Sequence, residues 1–197
     1  IVLLMQTVWM GVLLEWFLDK KAPSFQKIIS VIIVLIGTAL AINIFKIDFN
    51  DPTIDWANGL FWGLLAAASF TTTMFTANKV ALGISSAQRS LYMLLGGAVI
   101  VFGFSLYTQV TPFNFEIFAK WGIVLALFGT IIPPMLLNAG FPHTGIGLGS
   151  IVSSLELPVS VMMAFFLLNE QVLFIQWIGI LLIITAIVIM NIQFKKK

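Results

Sequence analysis

The chain has 197 residues, of which 60% are hydrophobic and 9% charged, against roughly 25% charged in an ordinary soluble domain. Ten Lys and Arg against eight Asp and Glu leave a formal net charge of +2, too few charges to coat a water-soluble surface and too weak a basic field to bind nucleic acid. The absence of cysteine excludes disulfide frameworks, thiolate metal sites and cysteine nucleophiles.

Seven apolar stretches follow one another. The first runs from Ile1 to about Leu18, and Ala22-Pro23-Ser24 parts it from the second, Lys27 to Phe45. After Asn50-Asp51-Pro52 comes a third, Trp56 to Asn78, and after Leu82-Gly83-Ile84-Ser85-Ser86 a fourth, Gln88 to Tyr107. Thr111-Pro112-Phe113-Asn114 precedes the fifth, Ile117 to Asn138, which carries the pair Pro133-Pro134 and is expected to kink or break there. Phe141-Pro142-His143-Thr144-Gly145 reads as a loop before the sixth, Gly145 to Asn169. A tight turn at Asn169-Glu170-Gln171 leads to the seventh, Val172 to Asn191.

Each complete stretch is long enough to cross a hydrocarbon core of about 30 Å as a helix. Helices satisfy their own backbone there, and runs such as Val31-Ile32-Ile33-Val34-Leu35-Ile36 lack the alternation of a barrel strand. The expectation is an all-α, polytopic transmembrane helix bundle. The opening Ile1-Val2-Leu3-Leu4-Met5 has neither an initiator methionine nor a signal-peptide start, so an earlier part of the natural protein is expected to precede it.

Strict alternation over seven helices puts Lys20, Lys21, Lys27, Lys79, Arg89, Lys195, Lys196 and Lys197 on one side and only Lys46 and Lys120 on the other. By the positive-inside rule the rich side, with the C-terminus, is expected to be cytoplasmic, the bilayer being the cell (inner) membrane.

A weak internal echo is present. Leu13-Leu14-Glu15, a loop, Gln26 and an apolar helix ending near Asn43 match Leu167-Leu168-Asn169-Glu170, Gln176 and an apolar helix ending near Asn191. The two copies fall on opposite sides of the membrane, as an inverted repeat with an odd number of helices per half requires. Residues 1–45 then read as the tail of a first repeat and residues 56–193 as a complete second one.

Ser153-Ser154-Leu155-Glu156-Leu157-Pro158-Val159, then Leu167-Leu168-Asn169-Glu170 and Gln176-Trp177-Ile178-Gly179, resembles the end of an EamA-type repeat of the drug/metabolite transporter superfamily. Leu157 separates a Glu and a Pro that many members hold adjacent, and Ile29 stands in the first copy where the second has Gly179. The resemblance implies a ten-helix carrier of two inverted five-helix halves. This chain would supply the end of the fourth helix, the fifth, and the sixth to tenth. Its missing N-terminal half would complete a central cavity for a small organic solute, often moved outward, without a cofactor.

Among candidate residues Glu156 is the most informative, because a carboxylate inside a span costs at least about 2.5 kcal/mol and is expected to face protein or a water-filled cavity. It reads either as a proton-coupling or substrate-contacting group, or, with Ser153 and Ser154, as a cap for backbone left bare by Pro158. Ser69, Thr72, Thr73 and Thr76 share much of one face of the third helix and offer hydroxyls to a polar solute or, alternatively, to their own backbone. Gly59, Gly63 and Ala67 form a small-residue stripe suited to a close helix contact.

Arg89, near Gln88 and Tyr92, reads as an attractor of anionic solute or as a snorkelling, orientation-setting charge. Asn138 is expected to close the fifth helix after a proline break of the kind that marks binding sites in carriers. Gly145, Gly147 and Gly149 lack the strand of a phosphate-binding fingerprint and suit a flexible or closely packed helix start. His143, the sole histidine, lacks the partners of a metal site. The sequence reading is therefore a membrane carrier whose partners are a small-molecule solute and the bilayer, with a homodimer left open. The rivals are a non-transporting membrane scaffold and an intramembrane lipid-modifying enzyme, the latter disfavoured by its want of clustered His, Asp or Glu.

Overall fold

The computed structural model describes residues 4–49, 51–110 and 114–192, and among these the regular structure is entirely helical. A 3-10 turn at Leu4–Gln6 leads into α1, Thr7–Asp19. Then come α2, Phe25–Ala41, and α3, Trp56–Lys79, with a 3-10 turn at Ile44–Lys46 between them. Next are α4, Ser86–Thr108, and the long α5, Phe115–Thr144. The next rod, Ile146–Leu168, is broken into α6, Ile146–Ser153, and α7, Glu156–Leu168, and α8, Phe174–Asn191, ends the described chain. These rods match the seven apolar stretches of the sequence one for one. Five of them, α3, α4, α5, the α6–α7 rod and α8, are long and apolar enough to cross a membrane, and α2 is a shorter apolar helix. The protein is thus a multi-helix membrane protein. Lys195, Lys196 and Lys197 lie outside the described residues.

Local chemistry sets the helix ends. Ser24 caps α2 by accepting from the Lys27 N–H at 3.3 Å. Ser85 and Gln88 form a capping box at the start of α4, with both bonds at 3.2 Å. Asp55 does the same for α3, its Oδ1 accepting from Asn58 N–H at 3.0 Å. Lys20 and Asn169 end α1 and α7 in the left-handed region, and at the second end Glu170 N–H reaches back to the Ala164 carbonyl at 3.2 Å.

Two expectations for the fifth helix are corrected. Pro133-Pro134 does not break it: the helix runs on through both prolines, with a π-helical stretch, Ala126–Ile131, directly before them. Nor is Phe141 to Thr144 a loop. The helix continues past Asn138 through Pro142 and stops at Thr144, because Gly145 turns to φ +80.

The chain divides into two compact units, residues 1–74 with 145–197, and residues 75–144. In the first, α2 and α8 run antiparallel at very close range. A Cβ added at Gly37 would sit 2.8 Å from the Gly179 carbonyl oxygen, and one added at Gly179 would sit 2.9 Å from Ala41 Cα. Ser30 Oγ donates to the Ala186 carbonyl in the middle of this seam. Near its ends, Gln176 Nε2 donates to the Ala41 carbonyl at 2.9 Å, and Gln26 Nε2 donates to the Ile189 and Ile192 carbonyls. Each glutamine opens one helix and satisfies a carbonyl near the end of the other, where carbonyls lack intrahelical partners. Val34, Ile183 and Ala186 are fully buried along this seam.

The close small-residue contact therefore falls at Gly37 and Gly179. Gly59, in the stripe expected on α3, has open space around it. The first unit also packs α1 on α6, where Gly11 lets Ser150 approach and Ser150 Oγ donates to the Val8 carbonyl. The second unit holds the last turn of α3, all of α4 and all of α5.

Candidate functional site

The second unit contains a buried polar cluster built on one cation. Arg89 lies in the first turn of α4 and is only 8% exposed. Its Nη1 donates to the Ala77 carbonyl at 2.8 Å, and its Nη2 donates to the Asn138 carbonyl. Both acceptors need an outside donor. Ala77 lies in the last turn of α3, where carbonyls have no intrahelical partner. The Asn138 carbonyl would receive the N–H of residue 142, which is a proline and has none. Asn78 Nδ2 donates to the Phe141 carbonyl, an end group of α5. The guanidinium thus meets the negative end of α3, where a cation is stabilised, and a carbonyl of α5 that Pro142 leaves bare.

Asn138 completes the cluster. It is fully buried, and its Nδ2 donates to Ser90 Oγ at 2.9 Å and approaches Met93 Sδ at 3.3 Å. Two buried atoms of this cluster, Arg89 Nε and Asn138 Oδ1, have no partner among the described residues. An open cleft of about 380 Å³ adjoins, lined by Ser86, Arg89, Asn138 and His143 among others. Arg89 is therefore not a snorkelling surface charge: its head group is turned inward onto backbone.

The other predicted residues are placed elsewhere. Tyr92 is exposed on α4. On α3 the buried face is Ala67, Thr71, Met74 and Asn78, whereas Ser69 and Thr72 are exposed. Thr71, Thr72 and Thr73 each donate to the carbonyl four residues back, so those hydroxyls are spent on their own helix, and Thr76 is half-buried.

In the first unit the α6–α7 rod breaks at Ser154–Leu155, as Pro158 demands. The Ser154 carbonyl is not left bare: Leu157 N–H donates to it at 3.3 Å, in a tightened turn. Ser154 is buried with its hydroxyl on the Ile151 carbonyl, and Ser153 is half-buried with its hydroxyl on Gly149. Glu156 opens α7, is exposed, and makes no hydrogen bond or ion pair among the described residues. The backbone turn, and not the carboxylate, meets the need created by the proline.

Sequence reasoning passed over Glu15 as a site residue. Its carboxylate pairs with Lys27 Nζ and rests against the start of α6. A Cβ at Gly147 would lie 3.2 Å from Glu15 Cδ and 3.2 Å from Lys27 Nζ, and Gly145 meets Glu15 Oε1 at the same distance. The Gly145, Gly147 and Gly149 run held this signal, since glycine is the residue that lets a carboxylate approach helix backbone. A second cleft of about 250 Å³ lies beside the pair.

The EamA-like transporter family matches residues 57–192. No curated protein and no solved structure matches the chain. The chain belongs to the EamA-like transporter family, a class of membrane transporters of small solutes.

Proposed function

We propose that this chain is the C-terminal part of a carrier that moves a small organic metabolite or drug-like solute across the cell membrane, outward, by alternating access between two inverted five-helix halves, with the C-terminus cytoplasmic. The observation that carries the reading is Glu156. A carboxylate in an apolar 23-residue span is exposed and has no partner among the described residues, beside a break in its helix. Facing lipid it would be expensive, so a water-filled path is its natural surroundings. Broken helices that line such paths are a carrier trait. The crossed amides of Gln26 and Gln176, each on a carbonyl of the other's helix, support the inverted relation of the halves. Outward movement is the direction the family resemblance favours. Glu156, with Ser153, would supply polar contacts to the path.

The test expresses the intact gene product and its Glu156→Gln variant in cells and profiles small molecules inside and outside. One solute class is expected to move with wild type and to fall by about tenfold or more in the variant, the scale of losing one charge-assisted contact. Equal movement by both proteins takes Glu156 out of the path while the carrier reading stands. No movement over a broad panel, despite correct insertion, favours a scaffold.

A further inference from the structure

We propose that the cleft at Arg89 is a binding site for an oxyanion, a carboxylate or phosphate group. As the anionic end of the carried solute, this would deepen the carrier reading and rest on it.

The first ground is charge. Arg89 is buried, and among the described residues no carboxylate pairs with it. Within residues 75–144 the only acidic residue is Glu116, and it is bonded to Lys120 at 2.7 Å. Glu116 is also 22 residues from Asn138 along α5, about 33 Å of helix. The C-terminal end of α3 and the Asn138 carbonyl offset part of the guanidinium charge, but among the described residues no whole counter-charge faces it. Buried cations without one are costly.

The second ground is the balance of donors and acceptors. A guanidinium has five N–H donors; Nη1 and Nη2 each make one bond, to Ala77 and Asn138, and Nε makes none among the described residues, so three donors remain there. The α4 capping box engages the Gln88 N–H, and the Arg89 N–H bonds to the Ser85 carbonyl. The N–H groups of Ser86 and Ala87 therefore point out of the positive end of α4 beside the cleft. Ser86 and His143 on the lining add a hydroxyl and an imidazole. Against these donors stands one unpartnered side-chain acceptor, Asn138 Oδ1. Such a lining favours an anion and repels a cation. The volume of about 380 Å³ suits a small solute or the head of a larger one.

An anion here has two possible sources, a dissolved solute and the headgroup of an anionic lipid. The experiment separates them. The intact gene product is purified into discs of neutral phosphatidylcholine and titrated calorimetrically with inorganic phosphate, with propionate, and with tetramethylammonium as a cationic control. A parallel sample in discs doped with phosphatidylglycerol is analysed by native mass spectrometry for retained lipid. The variants are Arg89→Lys, which keeps the charge and loses the planar fork, and the rim pair Ser86→Ala with His143→Ala, which spares the bonds to Ala77 and Asn138.

Saturable binding of phosphate or propionate is expected, weakened about tenfold in Arg89→Lys and about threefold in the rim pair, with none for the cation. Binding in neutral discs assigns the site to a solute; retention of the anionic lipid alone, lost in the same variants, assigns it to a headgroup. Absence of all anion binding overturns the proposal, as does binding unaltered in both variants. Solute movement in cells is scored separately, so a protein that transports yet binds no anion sinks this inference and leaves the carrier reading intact.

Discussion

The α2–α8 seam and the Arg89 cluster solve the same problem by opposite means. Both must satisfy carbonyls at helix ends away from water. Along the seam, Gly37 and Gly179 bring the backbones together, and neutral amides from Gln26 and Gln176 cap the ends. In the cluster a long charged side chain reaches across from α4 to α3 and α5, and leaves Arg89 Nε and Asn138 Oδ1 without partners among the described residues. The seam helix α2 also buries one hydroxyl, Thr38 Oγ1, without a partner among the described residues, but that group is neutral. A charged clasp carries surplus donors, and those are what a ligand can use. The difference separates a structural seam from a region equipped for chemistry.

The largest effect should come from filling the seam. In Gly179→Val the new Cβ would collide with Ala41 backbone, which cannot move aside as a side chain would. A loss of about 3 kcal/mol or more is expected, at the upper end of overpacking costs, read as a lower unfolding temperature and poor yield in detergent. Gly59→Ala on α3 is the control. That position has open space, and the gain in helix propensity should stabilise by about 0.5–1 kcal/mol. Equal outcomes for the two would remove the distinction drawn between these glycines.

Next comes the clasp. Arg89→Gln strips a charged donor from two carbonyls and should destabilise by about 2–3 kcal/mol. If the Asn138 carbonyl needs Arg89 because Pro142 has no N–H, then Pro142→Ala, by restoring that N–H, should make the Arg89 substitution less damaging. A double-mutant cycle in thermal unfolding measures this, with an expected coupling of about 1 kcal/mol. Strict additivity would break the link between the proline and the arginine.

Much of the frame was legible in the sequence. Apolar run length and Pro, Gly and Ser breaks place the seven rods, since in lipid a backbone has almost no choice but helix. The site was less so, because periodicity locates a face without telling which neighbour covers it. Ser69, Thr72 and Thr76 looked like one polar face, yet the buried stripe is rotated to Ala67, Thr71, Met74 and Asn78. Arg89 and Asn138 were chosen as separate candidates, 49 residues apart, and only the fold brings them together. Pro142 was taken for a loop marker. Its effect, a bare carbonyl one turn back at Asn138, becomes visible only when the helix is seen to continue through it. Glu15 was hidden for a similar reason: the glycines that receive it lie 130 residues away, at Gly145 and beyond.

The smallest effect belongs to the loop before α3, outside the spans. Thr53 holds the Asp51 carboxyl below its ordinary pKa, chiefly through its hydroxyl and then through its N–H. Asn58 lowers Asp55, first through its backbone N–H and then through its side-chain amide. Both are stabilised as carboxylates when folded. Their contribution is therefore fully present above the unfolded carboxyl value of about 3.9 and is lost as pH falls through the lowered folded values. Asp55 is exposed and Asp51 only half-buried in a surface loop, so solvent screens the effect, and acid should lower the unfolding temperature only slightly on their account. Asp55→Asn keeps a helix cap but cannot titrate. A melting temperature followed from neutral pH into acid should fall slightly less steeply in that variant than in wild type. An identical slope would mean that the charge of Asp55 adds nothing to its cap, which would leave even this exposed end on the same footing as the uncharged α2–α8 seam.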